Sequence, residues 1–543
     1  MSIARSSALM ASGTIVSRIL GFVRAVMLAM TIGVTTNVSD AFGVANQLPN
    51  NVYAIIAAGV LSAVLVPQII KAKSHTDGGA GYIDRLLTLV ICVFALVTVL
   101  TTVAAPLLVG LYTQGWGANQ LALATAFAYW CLPQLFFYGL YSVLGEVLNA
   151  NSRFGPFMWS PVLNNVISIA GLGAFIWIFG ADPTGQVSES MWEGDRISLL
   201  AGTATLGVMA QAIVLFWSWR KVDLRFKFNF NWRGVGLAPA LKAAAWSLGM
   251  VIVTQIGGIV QTAVSSRVIN DRATAGGAIA SVAAASIAWL IFMLPHSVFT
   301  VSIATAYFTK MSGHAHRGEL EEMKLDLTRG LRMIGAIAVL ATAGLMVLAY
   351  PVARIFVGEY SATAALGNVI IALMFGLVPF SFVFMIQRAF YALEDTRTPF
   401  WFTVLQISIH IAGSLTMSVT VPSQWLVASL GGLTSFSVLV QALAAYALLR
   451  RKTGGFGNNG LAGGLVRFIL AGLLAGAVGF GVLQLLGGAG EGAFAVRSVL
   501  TAITASAAVC AAMVATYAVC LKFLGVGEAD ELLGRVKSVL KRR

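Results

Sequence analysis

The sequence predicts an all-α polytopic membrane protein of about fourteen transmembrane helices, and three observations carry the prediction. Of 543 residues, 58% are hydrophobic and only 10% charged, against roughly one quarter charged in soluble domains. Apolar runs of about twenty residues recur from end to end, each long enough to cross the hydrocarbon as a helix. Lysine and arginine divide sharply between loops: 28 of the 35 flank the N-terminus, the even-numbered loops or the tail, 5 flank the opposite loops and 2 lie within the first span. That asymmetry places both termini in the cytoplasm. Anionic headgroups on that side are the natural partner of the net charge of +14, with no need of nucleic acid. A β-barrel is excluded, because its strands alternate apolar with polar residues.

In chain order the spans fall at about 7–32, 41–70, 86–112, 121–149, 157–180 and 198–219, then about 237–266, 274–308, 328–350, 363–391, 398–420, 424–449, 464–487 and 497–524. The first run is expected to be retained as a span, since no small-residue cleavage site follows it. Pro49, Pro67, Pro133, Pro295 and Pro379 lie inside spans and mark kinks, as in transporters with bent helices. Residues 181–197 form a polar external loop. Cys92, Cys131, Cys510 and Cys520 all sit in apolar runs without metal-ligand spacing and read as small buried side chains. From about Glu528 to Arg543 the tail reads as a basic amphipathic helix lying on the membrane surface.

The stretch Ser17-Arg18-Ile19-Leu20-Gly21-Phe22-Val23-Arg24 places two arginines inside the first span. Each costs about 2.5–3.5 kcal/mol near the centre of a membrane helix, so the pair asks for a compensating role. At about 100° per residue, Ser17, Arg18, Gly21 and Arg24 share one arc, giving the helix a cationic face. Guanidinium forks facing a protein interior or cavity suit a phosphate or carboxylate. Snorkelling of Arg18 to the cytoplasmic surface is the alternative.

The chain also repeats itself. Thr254-Gln255-Ile256-Gly257-Gly258-Ile259-Val260-Gln261 in the seventh span lies on Ser17–Arg24 with glutamines for arginines. Leu294-Pro295-His296 matches Leu48-Pro49-Asn50, and Leu393–Phe400 after span ten resembles Leu148–Phe157 after span four. All three matches are offset by six spans, which predicts two six-helix lobes in the same orientation, residues 1–225 and 226–455. Helices 13 and 14 (456–524) and the tail (525–543) follow.

The segment SRILGFVRAVMLAMTIGVTTNVSDAFGVANQLPN, followed by Gly59–Pro67, closely resembles the opening of the MurJ (MviN) family, flippases for the peptidoglycan precursor lipid II. The loops LNANSRFGP and FYALEDTRTPF are similar to that family's loops after helices four and ten. The resemblance implies the fold of the multidrug/oligosaccharidyl-lipid/polysaccharide exporter superfamily, a bacterial cytoplasmic-membrane location and a role in cell-wall synthesis. It implies that Ser17, Arg18 and Arg24 are cavity residues needed for flipping, and that Asp40 is the family's acid opening helix two. Ala25, Tyr53-Ala54 and Leu290 stand where the family pattern has an acid, a basic pair and an arginine. Recognition of the diphosphate would then rest on Arg18 and Arg24, with Gly21 leaving space and Asn50, Asn51, Gln255, Gln261 and His296 as neutral donors.

Two residues keep competing readings. Asp40 either gates the external mouth or caps helix two, and His296 is either a ligand donor or proton-sensitive switch, or a neutral histidine bonded to a helix carbonyl. Helices 13 and 14, rich in glycine and alanine, fit either a groove for the polyprenyl tail or close helix packing. The expected function is movement of lipid II from the cytoplasmic to the external leaflet by alternating access, and not enzymatic catalysis. The alternative is export of another polyprenyl-linked glycan or of a drug. No cofactor is expected, and coupling to membrane potential or to an ion is left open. Lipid II, anionic lipids and cell-wall synthesis or division proteins are the implied partners.

Overall fold

The computed structural model describes residues 3–58, 80–151, 154–219, 226–231, 237–272, 277–455 and 460–525. The Gly59–Pro67 motif and the amphipathic tail lie outside the described residues. Among the described residues all regular structure is helical. Among the described residues twelve helices are long and apolar enough to cross a membrane, and the pair Tyr360–Met374 and Leu377–Ala392, bent by 43°, makes a thirteenth if it is one broken span. The remaining expected span, the second, is described as a helix over Asn37–Ile56.

Contacts divide the chain into two compact units, Met1–Asn270 and Asp271–Arg543. The first contains α1 (Ile3–Ile32), α2 (Asn37–Ile56), α3 (Ala80–Val103), α4 (Ala105–Tyr112), α5 (Ala118–Cys131), α6 (Gln134–Ala150), α7 (Phe154–Phe179), α8 (Gly194–Trp219) and α9 (Leu237–Ser266). The second contains α10 (Val282–Pro295), α11 (Val301–His316), α12 (Leu320–Val347), α13 (Ala349–Arg354), α14 (Tyr360–Met374) and α15 (Leu377–Ala392). It continues with α16 (Arg397–Thr420), α17 (Ser423–Thr453), α18 (Leu461–Leu485), α19 (Phe494–Arg497) and α20 (Val499–Phe523).

The helix breaks recur six spans apart. Span three is interrupted between α3 and α4, next to Pro106, and span nine between α12 and α13, close to Pro351. Span four breaks at Leu132–Pro133, and span ten at Phe375–Gly376. Proline removes a backbone donor and clashes with the preceding turn, so each break has a local cause where proline stands. The packing border nevertheless falls one span later than the repeat border expected after residue 225, because α9 packs against α2 and α4. Ser266 at its end accepts from the Gln114 backbone N–H at 2.9 Å through Oγ and from Trp116 Nε1 at 3.1 Å through its carbonyl. Gln255 Nε2 donates to the Asn51 carbonyl at 2.8 Å.

In lipid, helices gain little from burying apolar side chains, so close packing and hydrogen bonds hold them together. In the first unit Phe94, Leu135, Val147 and Leu148 are essentially fully buried. The ring of Phe94 of α3 packs against α6 where Gly139 leaves room for it. In the second unit α18 and α20 pack on each other and on α12. A side chain at Gly472 would meet Val339 at 2.5 Å, one at Gly479 would meet Met513 at 2.5 Å, and the Tyr517 hydroxyl donates to the Ala336 carbonyl at 2.7 Å. The small residues of these two helices thus make close packing, while Leu473 and Leu500 on their other faces are exposed. Of the four cysteines only Cys131 is fully buried; Cys510 is exposed on α20, correcting the expectation for that residue, because it points away from the α12 and α18 side.

At the junction of α15 and α16, Asp395 accepts from the Thr398 backbone N–H at 2.9 Å and the Thr398 hydroxyl at 2.7 Å. Lys452 at the end of α17 lies 2.5 Å from the same carboxylate. Burial works to raise the pKa of this carboxyl, but the Lys452 and Thr398 hydrogen bonds outweigh it and hold it below the ordinary value of 3.8. A depressed folded-state value stabilises above the unfolded value and is lost as pH falls through the folded one. Asp395→Asn is therefore expected to lower the thermal midpoint near neutral pH, at a cost of about 1 kcal/mol typical of a lost helix cap. The wild type should lose that advantage below about pH 3.8, measured by melting curves across acid pH.

Candidate functional site

α1 meets α7 through a row of small residues. Gly13 lies under Trp159, and Asn165 Nδ2 donates to the Ser17 carbonyl at 2.9 Å and approaches its Oγ at 3.4 Å. Gly21, one turn on, is in ordinary contact with the Asn165 amide. Gly13, Ser17, Gly21, Arg24 and Leu28 span an arc of about 80° on an ideal helix, and this arc faces α7. Arg24 consequently enters the interior of the unit. It lines a pocket with about 320 Å³ of empty space, part of it open, together with Asn46 of α2, Ser168 of α7 and Thr203 of α8. Phe42 and Leu172 supply apolar wall.

Arg18 is about 120° around the helix from Arg24 and is exposed. The two guanidiniums therefore do not share one packing face as the sequence arc suggested. The arc that matters is set by where α7 docks, and Arg18 falls outside it.

The polar wall of the pocket is held by further intramembrane hydrogen bonds. Gln134 Nε2 donates to Asn46 Oδ1 at 3.2 Å and to Thr205 Oγ1 at 3.1 Å, while Tyr138 donates to Gln134 Oε1 at 3.0 Å. Asn164 Nδ2 donates to Gln211 Oε1 at 2.9 Å, joining α7 to α8. Asn46, Ser168, Thr203, Gln134 and Asn165 were not singled out from sequence. The available signal was their polarity inside apolar spans, which in membrane helices marks either helix contacts or a polar pathway.

The other predicted residues separate. The cap reading of Asp40 is corrected: Thr36 is the N-cap of α2, with extended backbone and a capping box in which Thr36 Oγ1 accepts from the Ser39 N–H at 3.1 Å. Asp40 is already helical, fully buried in the first turn, where the positive end of the helix dipole favours a carboxylate. Asn50 is exposed. Asn51 is half-buried and donates to the Tyr112 hydroxyl at 3.0 Å. Gln255 is the strut to Asn51 described above, and Gln261 is half-buried on α9.

His296 lies in the second unit, 2% exposed, at the start of a π-helical turn that follows Pro295. Its Nδ1 is 3.2 Å from Ser381 Oγ, and Phe380 and Phe384 enclose the ring with centroids 4.7 and 5.2 Å away. The partner is a serine hydroxyl on a neighbouring helix and not the helix carbonyl expected from the sequence. Among the described residues no group of three His, Cys, Asp or Glu is placed to hold a metal ion.

A pocket with one guanidinium, two hydroxyls and an amide, walled by apolar side chains, can take anionic oxygens in charge-assisted bonds while excluding bulk water. Comparison with known proteins identifies the family. The family model described as lipid II flippase MurJ matches residues 28–504, a stretch that begins just after Arg24 and contains Asp40, Asn50, Asn51, Gln255, Gln261 and His296. A probable lipid II flippase MurJ of Rhizobium meliloti (strain 1021) is 26% identical over 434 residues, covering 77% of this chain and 76% of its own length. That of Haemophilus influenzae is 25% identical over 467 residues, covering 80% and 84%. Among solved structures, a lipid II flippase MurJ in an inward closed conformation superposes with a TM-score of 0.71 at 18% identity, covering 95% of this chain and 99% of that one. An inward-facing multidrug resistance MATE family transporter of the MOP superfamily superposes with a TM-score of 0.60 at 17% identity, covering 81% and 98%. With the family model spanning most of its length, this chain, a multi-pass protein of the bacterial inner membrane, belongs to the lipid II flippase MurJ family.

Proposed function

We propose that this protein flips lipid II from the cytoplasmic to the external leaflet by alternating access, and that Arg24 and Arg18 receive the diphosphate. The observation that carries the reading is the placement of Arg24 in an intramembrane pocket beside Asn46, Ser168 and Thr203. A headgroup of sugars, peptide and diphosphate crossing hydrocarbon needs its water replaced by polar groups, and a guanidinium with neutral donors does so for the phosphates. Asn165 and Gln134 hold the helices that present those groups. Export of a drug cation is disfavoured by the same pocket, whose charged member is an arginine. The step is transport, with no bond made or broken in the lipid.

The test is depletion of the protein in cells followed by its restoration, with lipid II on the outer leaflet measured by an impermeant lipid II cleaving or labelling reagent. Exposure should fall on depletion and return on restoration; unchanged exposure on depletion would refute the reading. Both termini are placed in the cytoplasm on the charge asymmetry. A cysteine at Gln186, exposed in the loop before α8, should then react with an external thiol reagent, and one at Asn231, exposed between α8 and α9, should not. The reverse labelling pattern would invert the topology.

A further inference from the structure

α16 and α17 are joined by a row of polar side chains that the flippase reading leaves without a task. Thr403, Gln406, His410 and Ser414 fall on one side of α16, within about 80° of arc and along about 16 Å of axis. Toward the N-terminal end of α16 the row is satisfied: Gln441 Nε2 donates to Thr403 Oγ1 at 3.2 Å and Gln406 Nε2 to Ser437 Oγ at 3.1 Å. Further on it is not. His410 is 3% exposed and Ser414 fully buried, yet neither ring nitrogen of His410 nor the Ser414 hydroxyl meets a hydrogen-bond partner among the described residues.

The register explains the mismatch. The Thr403–Gln441 and Gln406–Ser437 pairs place Thr434 and Ser435 opposite His410. Thr434 donates its proton to the Leu430 carbonyl at 2.9 Å, and Ser435 to the carbonyls of Ala372 and Leu373 at 2.8 and 3.0 Å. Polar side chains that serve only to join helices are bonded across the seam, as Thr403 and Gln406 are. His410 and Ser414 join nothing, and an imidazole is costly to leave unpaired in a low-dielectric interior.

We propose that His410, with Ser414 one turn further along the same face, is a proton-binding site of the second unit, and that its protonation is coupled to transport. A metal ion is disfavoured, because α16 and α17 carry no carboxylate in their described residues and no metal-ligating group of three is formed. A proton needs only the imidazole lone pair. Water reaching the row delivers it, one N–H bond forms, and the resulting imidazolium turns to donate to Ser414 Oγ, which the ring does not bond in this structure; returning the same proton to water restores the neutral ring. Among the described residues the helices packed most closely against α16 are α17 and α15. Their titratable or charged groups are Tyr446 and Arg450, Arg451 and Lys452 on α17, and Arg388 and Tyr391 on α15. All lie toward the N-terminal end of α16, about 13 Å or more along the axis from His410 by helix rise. The charge of the site is therefore set by its own proton and by the water that reaches it.

The site itself is tested without any transport assay, and the coupling rests on the flippase reading. Full-length protein labelled with ¹⁵N-histidine in lipid nanodiscs would be titrated by NMR, with His410→Gln identifying the His410 signal among the five histidines. We expect a reversible titration between about pH 4 and 8 whose midpoint moves by about half a unit or more in Ser414→Ala. A His410 signal that stays constant over that range overturns the proton site. In proteoliposomes loaded with lipid II, a pH step of one unit across the membrane should change the wild-type flipping rate by about threefold or more. His410→Gln should retain lipid II binding and lose that response. Wild-type flipping that ignores the gradient overturns the coupling, whereas no lipid II movement by the wild type overturns the flippase reading and leaves the NMR titration to decide the site.

Discussion

Cells depleted of this protein and supplied with an Arg18→Ala, Arg24→Ala double variant should fail to expose lipid II on the outer leaflet, although the variant reaches the membrane in normal amounts. Each guanidinium bonded to a phosphate contributes about 1.5–3 kcal/mol as a charge-assisted hydrogen bond. Loss of both should slow flipping roughly 10²- to 10⁴-fold, since each 1.36 kcal/mol is a factor of ten in rate. Arg24→Ala alone should account for the larger part, because Arg24 lines the pocket and Arg18 is exposed. Arg24→Lys should fall between, keeping the charge but losing the planar fork. The stability of the double variant should match or exceed that of the wild type, since two charges leave a membrane helix. Full restoration of lipid II exposure by a normally expressed double variant would remove the arginines from the mechanism.

Gly139→Leu should be among the most destabilising single changes in the first unit. The Cβ alone would come within 2.3 Å of the ring of Phe94, a residue 1% exposed and in contact with Tyr53 at a centroid distance of 6.1 Å. Phe94 cannot swing away without displacing the surrounding core, so α3 and α6 must separate. Overpacking of this kind costs typically 1–3 kcal/mol, and a whole leucine facing an immobile ring belongs at about the upper end. The lipid offers nothing in return, because the added side chain is as well solvated by acyl chains as by protein. The measurement is the melting midpoint of the purified protein in detergent. Adding Phe94→Ala should recover part of the loss, giving a coupling of about 1 kcal/mol or more in the double-mutant cycle. Additive losses would mean that the two residues do not meet.

Both expectations combine residues that could be read in advance with contacts that could not. The spans, their number and the sixfold offset of the repeat follow from apolar run length and from matched polar positions, and the paired breaks at α3/α4 and α12/α13, or α5/α6 and α14/α15, fall where that repeat requires. The intramembrane cost of Arg24 likewise marked that residue from the sequence alone, and it lines a pocket. What surrounds Arg24 did not show. Asn46, Ser168 and Thr203 come from three other helices, and a buried asparagine or serine in a membrane helix has the same signature whether it faces a ligand or a neighbouring helix. His410 and Thr403 illustrate the point on a single face: both are polar, at helical spacing, yet one is bonded across the seam and the other is not.

By itself, then, the sequence determined that this chain is a many-helix membrane protein, duplicated, with buried positive charge in its first span and with the motifs of a lipid II flippase. Those properties reside in local composition and in periodicity along one helix, and the bilayer enforces them because every spanning backbone must satisfy its own hydrogen bonds. Only the tertiary structure decided that Arg24 enters a pocket while Arg18 stays outside it, that Thr36 and not Asp40 caps α2, and that α9 packs into the first unit through Gln255 and Ser266. Those outcomes depend on which face of each helix meets which neighbour. That choice is made by close packing of small residues such as Gly13 and Gly139 and by single hydrogen bonds such as Asn165 to Ser17, terms that the pattern of one helix cannot reveal.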